Sequence, residues 1–428
     1  MVSFLLFGAF CGLITLSVPI GFSIGLASAL ALVYKGGMPV TLIAQKMFTG
    51  LDSFPLLAVP FFVLAGLFME TGGISARLVR FASVLVGHVR GGLAHVVIVA
   101  TIFFSGISGS SAADTAAIGS IMIPSMVKRG YPRPLATAIV AAAGGMGVNI
   151  PPCIIMVLYG IAANVSIGYL FAAGFLPGFL SGLALMIMVY FIAKRQELPR
   201  EAKASAREML KAAWDALPPL LMPVIILGGI LTGVFTATES AVIAVVYGVF
   251  LSMVVYHELH FRDIPGILVA TARLTGMVML IVAMCTTFGW IVTVEQVPQT
   301  IMEWMLGLSE NPFVFLFFVN IMMLIVGMFL DVTPAIITFT PILYPVALKL
   351  GIDPVHFGIV LVTNLGVGFV HPPVGACLNV AAAIGEISID EVIKPILPFI
   401  GVMLLALVLI TYWPGVTLFI PRLFGYKG

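Results

Sequence analysis

Apolar stretches of about 20 residues recur along the whole chain, separated by short polar turns, and this is the length that a membrane-spanning helix needs. A membrane β-barrel would show shorter segments of alternating polarity instead. The pattern therefore predicts an all-α integral membrane protein with about ten transmembrane helices. Among these predicted spans, residues 4–33 form one long span and residues 217–256 form one bent span.

Two apolar regions are each split into two limbs by a small polar cluster, and the limbs of the first region are too short to cross a bilayer alone. The limbs at residues 91–105 and 116–127 flank S-G-I-S-G-S-S-A-A-D-T, and those at residues 312–330 and 335–347 flank D-V-T-P. Polar backbone cannot face lipid, so each cluster needs burial in protein or contact with water. We expect two re-entrant helical hairpins whose tips lie inside the membrane.

Two further apolar segments carry glycines directly before a Pro-Pro pair. Residues 144–152 read G-G-M-G-V-N-I-P-P, and residues 365–373 read L-G-V-G-F-V-H-P-P. Relative to alanine, a helix interior disfavours Gly by about 1 kcal/mol and Pro by about 3 kcal/mol. We interpret both stretches as the unwound centres of broken transmembrane helices.

The two halves of the chain repeat each other at a constant offset. The offset from Gly145 to Gly366, 221 positions, also pairs Gly106 with Gly327, and the two Pro-Pro pairs fall in register. If each half holds five spans and one hairpin, this odd number predicts an inverted repeat, which is typical of secondary transporters.

Residues 194–211 form the longest polar segment and hold six basic and three acidic residues. Because basic loops stay on the cytoplasmic side, we expect a cytoplasmic amphipathic linker helix that lies on the membrane surface and divides the two halves. The first hairpin then opens to the cytoplasm and the second to the outside. The chain would begin outside, with a retained span rather than a signal peptide.

Composition agrees with the membrane interpretation and argues against several functions. Of the 428 residues, 61% are hydrophobic and 9% are charged, against roughly 25% charged in soluble domains. The net charge of +2 gives no reason to expect nucleic acid as a partner. The four cysteines lack CxxC spacing and are expected to be small buried residues. The sequence contains no Walker A motif, nucleophile triad or His/Cys metal cluster, so we expect neither an enzyme nor a cofactor.

The hairpin tips and broken helices supply the chemistry that a cation requires. Exposed carbonyls and hydroxyls are oxygen ligands of the kind that Na⁺ prefers, and exposed helix N-termini suit carboxylates. We expect one Na⁺ site in each repeat, where a hairpin tip packs against the break of the same repeat. The first would be formed by Ser105, Ser108, Gly109, Ser110, Gly145 and Gly147, and the second by Asp331, Thr333, Thr338, Asn364, Gly366 and Gly368. The alternative is that these small residues only allow close helix packing.

Candidate substrate-binding residues lie beside the same breaks and tips, and they are Ser111, Asn149, Pro151, Pro152, His371, Pro372 and Pro373. His371 stands where the first repeat has Ile150, which favours a substrate contact, although a buried core histidine is an equal alternative. Asp331 is either a Na⁺ ligand or a helix N-cap. Asp114 is expected to cap the second limb of its hairpin, and Glu239 is expected to hold a bend.

The hairpin and break motifs together resemble the large membrane subunit of tripartite ATP-independent periplasmic (TRAP) transporters. The resemblance rests on S-G-I-S-G-S-S-A-A-D-T-A-A-I-G-S-I-M-I-P-S-M followed by R-G-Y and I-P-P, on P-F-F-V-L-A-G and R-G-G-L-A-H, and on F-T-A-T-E-S-A and H-P-P-V-G. It covers essentially the whole chain. One departure is Cys153, since the family often has Ser after I-P-P.

The resemblance implies a membrane-embedded subunit of a Na⁺-gradient-driven symporter in the bacterial inner membrane. The substrate would be an organic acid of the C4-dicarboxylate or sialic acid type, delivered by a periplasmic binding protein, and a small four-helix membrane subunit would be a second partner. One alternative is a single-component Na⁺/carboxylate symporter of related fold. An ion channel would need a continuous polar pore, which two separate polar clusters do not favour.

The resemblance also implies an elevator-type, ion-transporter-like fold in which a moving block shifts against a scaffold. The block would comprise residues 91–170 and 312–385, each with a hairpin and a broken helix. The scaffold would comprise residues 1–90, residues 171–311 including the linker 194–211, and residues 386–428 with the last span and the C-terminus.

Overall fold

The computed structural model describes the backbone of residues 1–428 and every side chain except those at positions 305, 306 and 308. Its regular elements are helices, and no β-strand occurs in the part of the chain that is described. The helices, numbered in chain order, are α1 (Val2–Thr15), α2 (Ile20–Lys35), α3 (Thr41–Leu51), α4 (Ala58–Thr71), α5 (Ile74–Val86), α6 (Gly92–Ser108), α7 (Ser111–Lys128), α8 (Arg133–Gly147), α9 (Ile154–Ala163), α10 (Ile167–Arg195), α11 (Ala206–Leu231), α12 (Ala237–Phe250), α13 (Ile264–Val294), α14 (Val297–Leu308), α15 (Pro312–Phe329), α16 (Val332–Lys349), α17 (Pro354–Gly368), α18 (Ala376–Gly385), α19 (Ile389–Tyr412) and α20 (Pro414–Leu423). Short 3₁₀ turns at Phe54–Leu57 and Phe261–Asp263 lead into α4 and α13, and a π-helical turn at Leu251–Val255 extends α12.

Within the described residues, eight helical segments are long and apolar enough to cross a membrane, judged by length and composition. They are Phe54–Thr71, Ile167–Arg195, Ala206–Leu231, Ala237–Val255, Phe261–Val294, Pro312–Phe329, Val332–Lys349 and Ile389–Tyr412. The all-α, multi-pass architecture that the apolar pattern predicts is therefore confirmed. The total of about ten spans and the re-entrant path of the hairpins stay predictions.

Two segments that the sequence predicts as single spans are each a pair of helices. Residues 4–33 contain α1 and α2, which pack against each other across a turn that ends at Pro19. Residues 217–256 contain most of α11 and all of α12, and Glu239 caps α12 by accepting a 2.7 Å hydrogen bond from the N–H of Thr236. Both single-span predictions are wrong, because a proline or a capping residue ends one helix or begins the next without a long polar loop.

The polar segment at residues 194–211 is not the surface helix that the sequence predicts. Its first two residues end α10, its last six begin α11, and the residues between them form no helix. Pro199 lies in this stretch and cannot donate a helical hydrogen bond. The segment instead contacts α5 and the end of α7 through Glu201. This carboxylate accepts a hydrogen bond of 2.7 Å from Ser83 of α5 and forms an ion pair of 3.3 Å with Arg129, just beyond α7.

The helix bounds repeat with the same offset as the sequence motifs. The offset of 221 positions carries both ends of α7 onto those of α16, and both ends of α8 onto those of α17. It also maps α3 and α4 together onto α13, and α5 onto α14. Because α5 and α14 have 13 and 12 residues, they are about 20 Å long and we expect neither to cross a bilayer. The number of crossing segments in each half and the inverted repeat stay predictions.

The two broken helices cross each other at a glycine contact in the core. The helical path is interrupted between α8 and α9 and between α17 and α18, at the positions that the Gly and Pro residues predict. A Cβ atom on Gly145 would lie 2.7 Å from the carbonyl oxygen of Gly366, and one on Gly366 would lie 2.7 Å from the carbonyl oxygen of Gly145. Glycine at both positions therefore lets the two backbones meet.

We expect Gly145→Ala to destabilise the protein, because the added methyl group would overlap the backbone of α17. Overpacking of this kind costs about 1–3 kcal/mol. The effect is measured as the thermal unfolding temperature of the purified protein in detergent. Gly401→Ala on α19 is the matched control, since no described atom beyond the adjacent turns of its own helix lies within 4 Å of the position that its Cβ would take. Equal unfolding temperatures for the two variants would contradict the glycine crossing.

Candidate functional site

A cavity of about 310 Å³ lies where the turns of both helical hairpins meet helices α4 and α13. We call it the hairpin cavity. Its polar lining comes from Glu70 of α4, residues 108–111 at the first hairpin turn, and Asp331 and Thr333 at the second. Its apolar lining includes Met277 of α13. The cavity therefore joins parts of the chain that lie far apart in the sequence.

Four helices begin at the hairpin cavity. Ser111, Ile154 and Ala376, which line it, are the first residues of α7, α9 and α18, and Asp331 is the N-cap of α16. The starts of α7, α9 and α18 have no side-chain cap. Backbone N–H groups at a helix start lack intrahelical partners and carry partial positive charge. Their convergence makes the cavity suitable for an anionic group.

The hairpin cavity also holds two carboxylates and, among the lining side chains that the structure describes, no basic group. Glu70 lies on α4, within an otherwise apolar helix. The carboxylate of Asp331 accepts a hydrogen bond of 2.8 Å from the N–H of Val332, so Asp331 both caps α16 and lines the cavity. Two carboxylates repel an organic anion unless cations or protons neutralise them.

Sequence reasoning did not single out Glu70, although a signal for it exists. Ionisable residues inside membrane segments are costly and are usually functional. That rule identifies Glu70 in the segment A-V-P-F-F-V-L-A-G-L-F-M-E-T of α4. What the rule does not supply is the position of Glu70 beside the hairpin turns, because this depends on how α4 packs.

Asp114 is buried between the two limbs of the first hairpin, with 1% of its surface exposed. The hydroxyls of Ser105 and Ser108 on α6 both donate to its carboxylate. The N-cap of α7 is Ser110, so the expectation that Asp114 caps this helix is wrong. Its carboxylate joins the two limbs instead, because two hydroxyl donors across the hairpin lie within its reach.

The turn of the first hairpin packs against the break of its own repeat. Gly109 adopts a left-handed φ of 67°, and its carbonyl oxygen accepts a hydrogen bond of 3.2 Å from the N–H of Ile154. The hydroxyl of Ser105 occupies the space that a side chain on Gly147 would fill. The structure therefore brings together the residues predicted for the first Na⁺ site, apart from Gly145 at the helix crossing.

The residues predicted for the second Na⁺ site lie in three separate places. Asp331 and Thr333 line the hairpin cavity. The hydroxyl of Thr338 donates to Sγ of Cys285 on α13 at 3.4 Å, so it contacts a different helix from the break. The remaining three residues lie on α17.

The predicted residues on α17 make contacts inside the core. Gly366 lies at the helix crossing, and a Cβ on Gly368 would lie 2.8 Å from Cα of Gly327 on α15. Nδ2 of Asn364 donates at 3.0 Å to both the backbone carbonyl and Oδ1 of Asn320. Oδ1 of Asn364 is buried and has no hydrogen-bond partner within the described structure. A buried acceptor without a donor is a suitable ligand for a cation.

The predicted substrate residues of the first repeat lie only partly at the hairpin cavity. Ser111 lines it. Oδ1 of Asn149 accepts a hydrogen bond of 2.8 Å from the hydroxyl of Thr363 on α17. Pro151 and Pro152 are buried and do not line the cavity. Asn149 thus ties the first break to the second broken helix.

The predicted substrate residues of the second repeat are more accessible. His371 and Pro372 are half-buried, and Pro373 is exposed. A ring nitrogen of His371, Nδ1, lies 2.7 Å from the carbonyl oxygen of Pro372. None of these three residues lines the hairpin cavity. The two breaks therefore differ in exposure, although their positions repeat.

The chain matches known transporter proteins over nearly its whole length. A family model described as the DctM component of the tripartite ATP-independent periplasmic transporter matches residues 7–416. The chain is 44% identical over 415 residues to the isethionate TRAP transporter permease protein DctMQ of Oleidesulfovibrio alaskensis, a match that covers 97% of this chain and 65% of that protein. It is 43% identical over 403 residues to the C4-dicarboxylate TRAP transporter large permease protein DctM of Pseudomonas aeruginosa, and this match covers 94% of each chain.

The fold is similar to that of a solved transporter structure. The crystal structure of the YdaH transporter of Alcanivorax borkumensis aligns with 88% of this chain and 87% of its own, with a TM-score of 0.65. Sequence identity over that alignment is 16%, so the similarity concerns the fold alone.

We expect Asp114→Ala to destabilise the first hairpin, because two buried hydroxyls would lose their acceptor. Each unsatisfied buried group costs about 1–3 kcal/mol. Asp114→Asn, which keeps one acceptor oxygen, should be intermediate. The readout is the thermal unfolding temperature in Na⁺-free detergent solution. Ser120→Ala on the same helix is the control, since that hydroxyl donates only to the carbonyl of Ala117. If Asp114→Ala unfolds at the temperature of the control, Asp114 does not hold the limbs together.

Proposed function

This chain belongs to the DctM family of tripartite ATP-independent periplasmic transporters and is a large permease subunit of that kind, and we propose that it imports an organic acid anion in symport with Na⁺. It is a multi-pass membrane protein, and its relatives are permease subunits rather than enzymes. The tripartite family name implies a periplasmic binding protein and a small membrane subunit as partners. We place the protein in the inner membrane of a bacterium.

The convergence of four helix starts on the hairpin cavity is the observation that carries this proposal. An organic acid needs a site that stabilises carboxylate oxygens, and none of the described side chains that line this cavity is basic. The start of α7 offers backbone N–H groups for that purpose, and the starts of α9 and α18 add partial positive charge, although the N–H groups of Ile154, Cys377 and Leu378 there already donate to the carbonyl oxygens of Gly109 and Phe369. The volume of about 310 Å³ lies at the lower end of the range of small-molecule pockets.

The two carboxylates of the cavity support coupling to a cation. Without neutralisation, Glu70 and Asp331 would repel the anion that the helix starts attract. Binding of Na⁺ together with the substrate removes this repulsion, because the cations offset the negative charges of the two carboxylates and of the anion. The anion then binds best when Na⁺ is also bound, which is the requirement for symport.

We place the two Na⁺ ions where buried oxygen atoms are already gathered. One site is beside Asp114, with the hydroxyls of Ser105 and Ser108 as further ligands. The second is beside Oδ1 of Asn364, for which the described residues provide no donor, close to the interrupted end of α17. Both sites offer the oxygen ligands that hard cations prefer.

We further propose that transport follows an elevator mechanism. The moving block comprises residues 91–170 and 312–385, and the remaining chain is the scaffold. The position of the hairpin cavity supports this division, because its lining combines hairpin turns from the block with α4 and α13 from the scaffold. Movement of the block along α4 and α13 would expose the bound acid to the opposite side of the membrane.

The substrate is an organic acid of the C4-dicarboxylate or sialic acid type, delivered by the periplasmic binding protein. Relatives of almost equal identity carry the names of different acids, isethionate at 44% and C4-dicarboxylate at 43%, so overall identity does not select one. All of these compounds are anions, and the helix starts at the cavity suit an anionic group in general.

Reconstitution in proteoliposomes tests the proposal directly. The chain is combined with its small membrane subunit and its binding protein, and a panel of radiolabelled organic acids is offered with an inward Na⁺ gradient. We expect uptake of at least one acid that requires both the gradient and the binding protein. Uptake by this chain alone would favour a single-component Na⁺/carboxylate symporter, and uptake without Na⁺ would contradict the coupling.

We expect Glu70→Gln and Asp331→Asn each to raise the Na⁺ concentration for half-maximal uptake by about tenfold, because each removes one negative charge near the cations, a change of roughly 1.4 kcal/mol. The measurement is initial uptake against Na⁺ concentration at saturating substrate. Asp390→Asn, at an exposed position at the start of α19 outside the cavity, is the control. If the Na⁺ dependence of Glu70→Gln and Asp331→Asn matches that of the control, these carboxylates take no part in coupling.

A further inference from the structure

A second cavity, of about 450 Å³, lies between α3 and α13 on one side and α9 and α16 on the other. We call it the outer cavity. The residues that matter for its chemistry are Lys46, Ser53, Leu158, Ile161, Trp290 and Ile337. In the proposed elevator, α3 and α13 belong to the scaffold and α9 and α16 to the moving block. The outer cavity therefore lies on the boundary between the two.

The course of α10 places this cavity on the outer face. α10 has 29 residues and is about 43 Å long, so one passage of it crosses the bilayer. Its C-terminal end joins the basic segment at residues 194–211, which the positive-inside rule puts in the cytoplasm. Its N-terminal end follows directly after α9, whose last turns line the cavity through Ile161 and Ala162. The outer cavity thus faces the side from which a periplasmic binding protein delivers substrate.

Lys46 gives the outer cavity a charge opposite to that of the hairpin cavity. Lys46 is half-buried, and it supplies the charge among the described residues that line the outer cavity. Its ammonium group lies 5.3 Å from the centre of the Trp290 ring. It forms no ion pair with any carboxylate that the structure describes, whereas Lys35 pairs with Glu295 at 2.5 Å. The Lys46 charge is therefore held by an aromatic face and is available to an anion.

The other polar groups of the outer cavity limit what it can bind. The hydroxyls of Thr49, Thr286 and Thr293 donate to backbone carbonyls of their own helices at 3.0, 2.9 and 2.8 Å. Their protons are therefore already used. Lys46, Ser53 and the indole N–H of Trp290 remain as donors among the lining side chains, and Leu158 and Ile337 add an apolar wall. This combination fits one anionic group with an attached carbon skeleton.

We propose that the outer cavity is a loading site, in which Lys46 holds one carboxylate of the arriving acid before the acid reaches the hairpin cavity. This role rests on the proposed function, since it assumes an organic anion as substrate. The loading site attracts the anion through a fixed positive charge. The hairpin cavity instead holds it through helix starts, in the presence of cations. The acid thus meets a cation-independent site first and a cation-dependent site second.

Uptake kinetics test the loading role. In the complete reconstituted system, Lys46→Gln should lower the ratio of maximal rate to half-saturating concentration of loaded binding protein by about tenfold, the loss expected for one charge-assisted contact. Lys46→Arg, which keeps the charge, should restore most of this ratio. Lys349→Gln removes a positive charge from the exposed end of α16, outside both cavities, and is the matched control. The Na⁺ concentration for half-maximal uptake should stay unchanged in all three variants.

Fluorescence quenching tests the anion site without transport. Trp214, Trp304 and Trp413 are replaced by Phe, so that emission comes from Trp290 beside Lys46. Iodide is the anionic probe and acrylamide the neutral one. We expect Lys46→Gln to reduce quenching by iodide severalfold and to leave quenching by acrylamide unchanged.

The two measurements separate this inference from the function on which it rests. Iodide quenching that does not depend on Lys46 overturns the loading site, whatever the uptake. Quenching that depends on Lys46 together with normal uptake by Lys46→Gln overturns its role in loading. If no organic acid is transported but quenching depends on Lys46, the anion site stands and the proposed function fails. Reduced quenching and reduced uptake in the same variant support both.

Discussion

Backbone polar groups cannot be left without partners in lipid, and this constraint governs how both broken helices are housed. The interruption after α8 is buried, close to the crossing of α8 and α17 at Gly145 and Gly366 in the core. The first hairpin turn closes over its break through the hydrogen bond from the N–H of Ile154 to the carbonyl of Gly109. The starts of four helices, α7, α9, α16 and α18, lie together at one place. The hairpin cavity is therefore formed where the hairpin turns and the helices after the breaks meet.

The electrostatics of the hairpin cavity combine two opposed tendencies. Helix starts favour an anion, and the carboxylates of Glu70 and Asp331 disfavour it. In the proposed function, Na⁺ neutralises the carboxylates, so that substrate and cation each improve the binding of the other. A basic residue in the same place would hold the acid without Na⁺ and would weaken the coupling. The proposed loading site has such a residue, Lys46, and it lies in a different cavity.

Repetition of the backbone does not make the two halves equivalent. The bounds of α7 and α8 recur in α16 and α17, yet Pro152 is buried and Pro373 is exposed. The carboxylate of Asp114 binds two hydroxyls inside its hairpin, whereas that of Asp331 caps a helix at the cavity. Small residues that shape the chain recur at the fixed offset, and the side chains that bear charge differ. The two repeats therefore share a similar backbone but place different charged side chains on it.

The sequence by itself determined the all-α membrane architecture, the two interruptions and the offset between the repeats. These features depend on apolar length and on Gly and Pro, whose effects on the backbone are local. The tertiary structure decided which polar groups meet, because such contacts join helices that are distant along the chain. Packing alone brings Glu70 to the hairpin turns, carries the hydroxyl of Thr338 to Cys285, and directs Asp114 to Ser105 and Ser108 rather than to a helix cap.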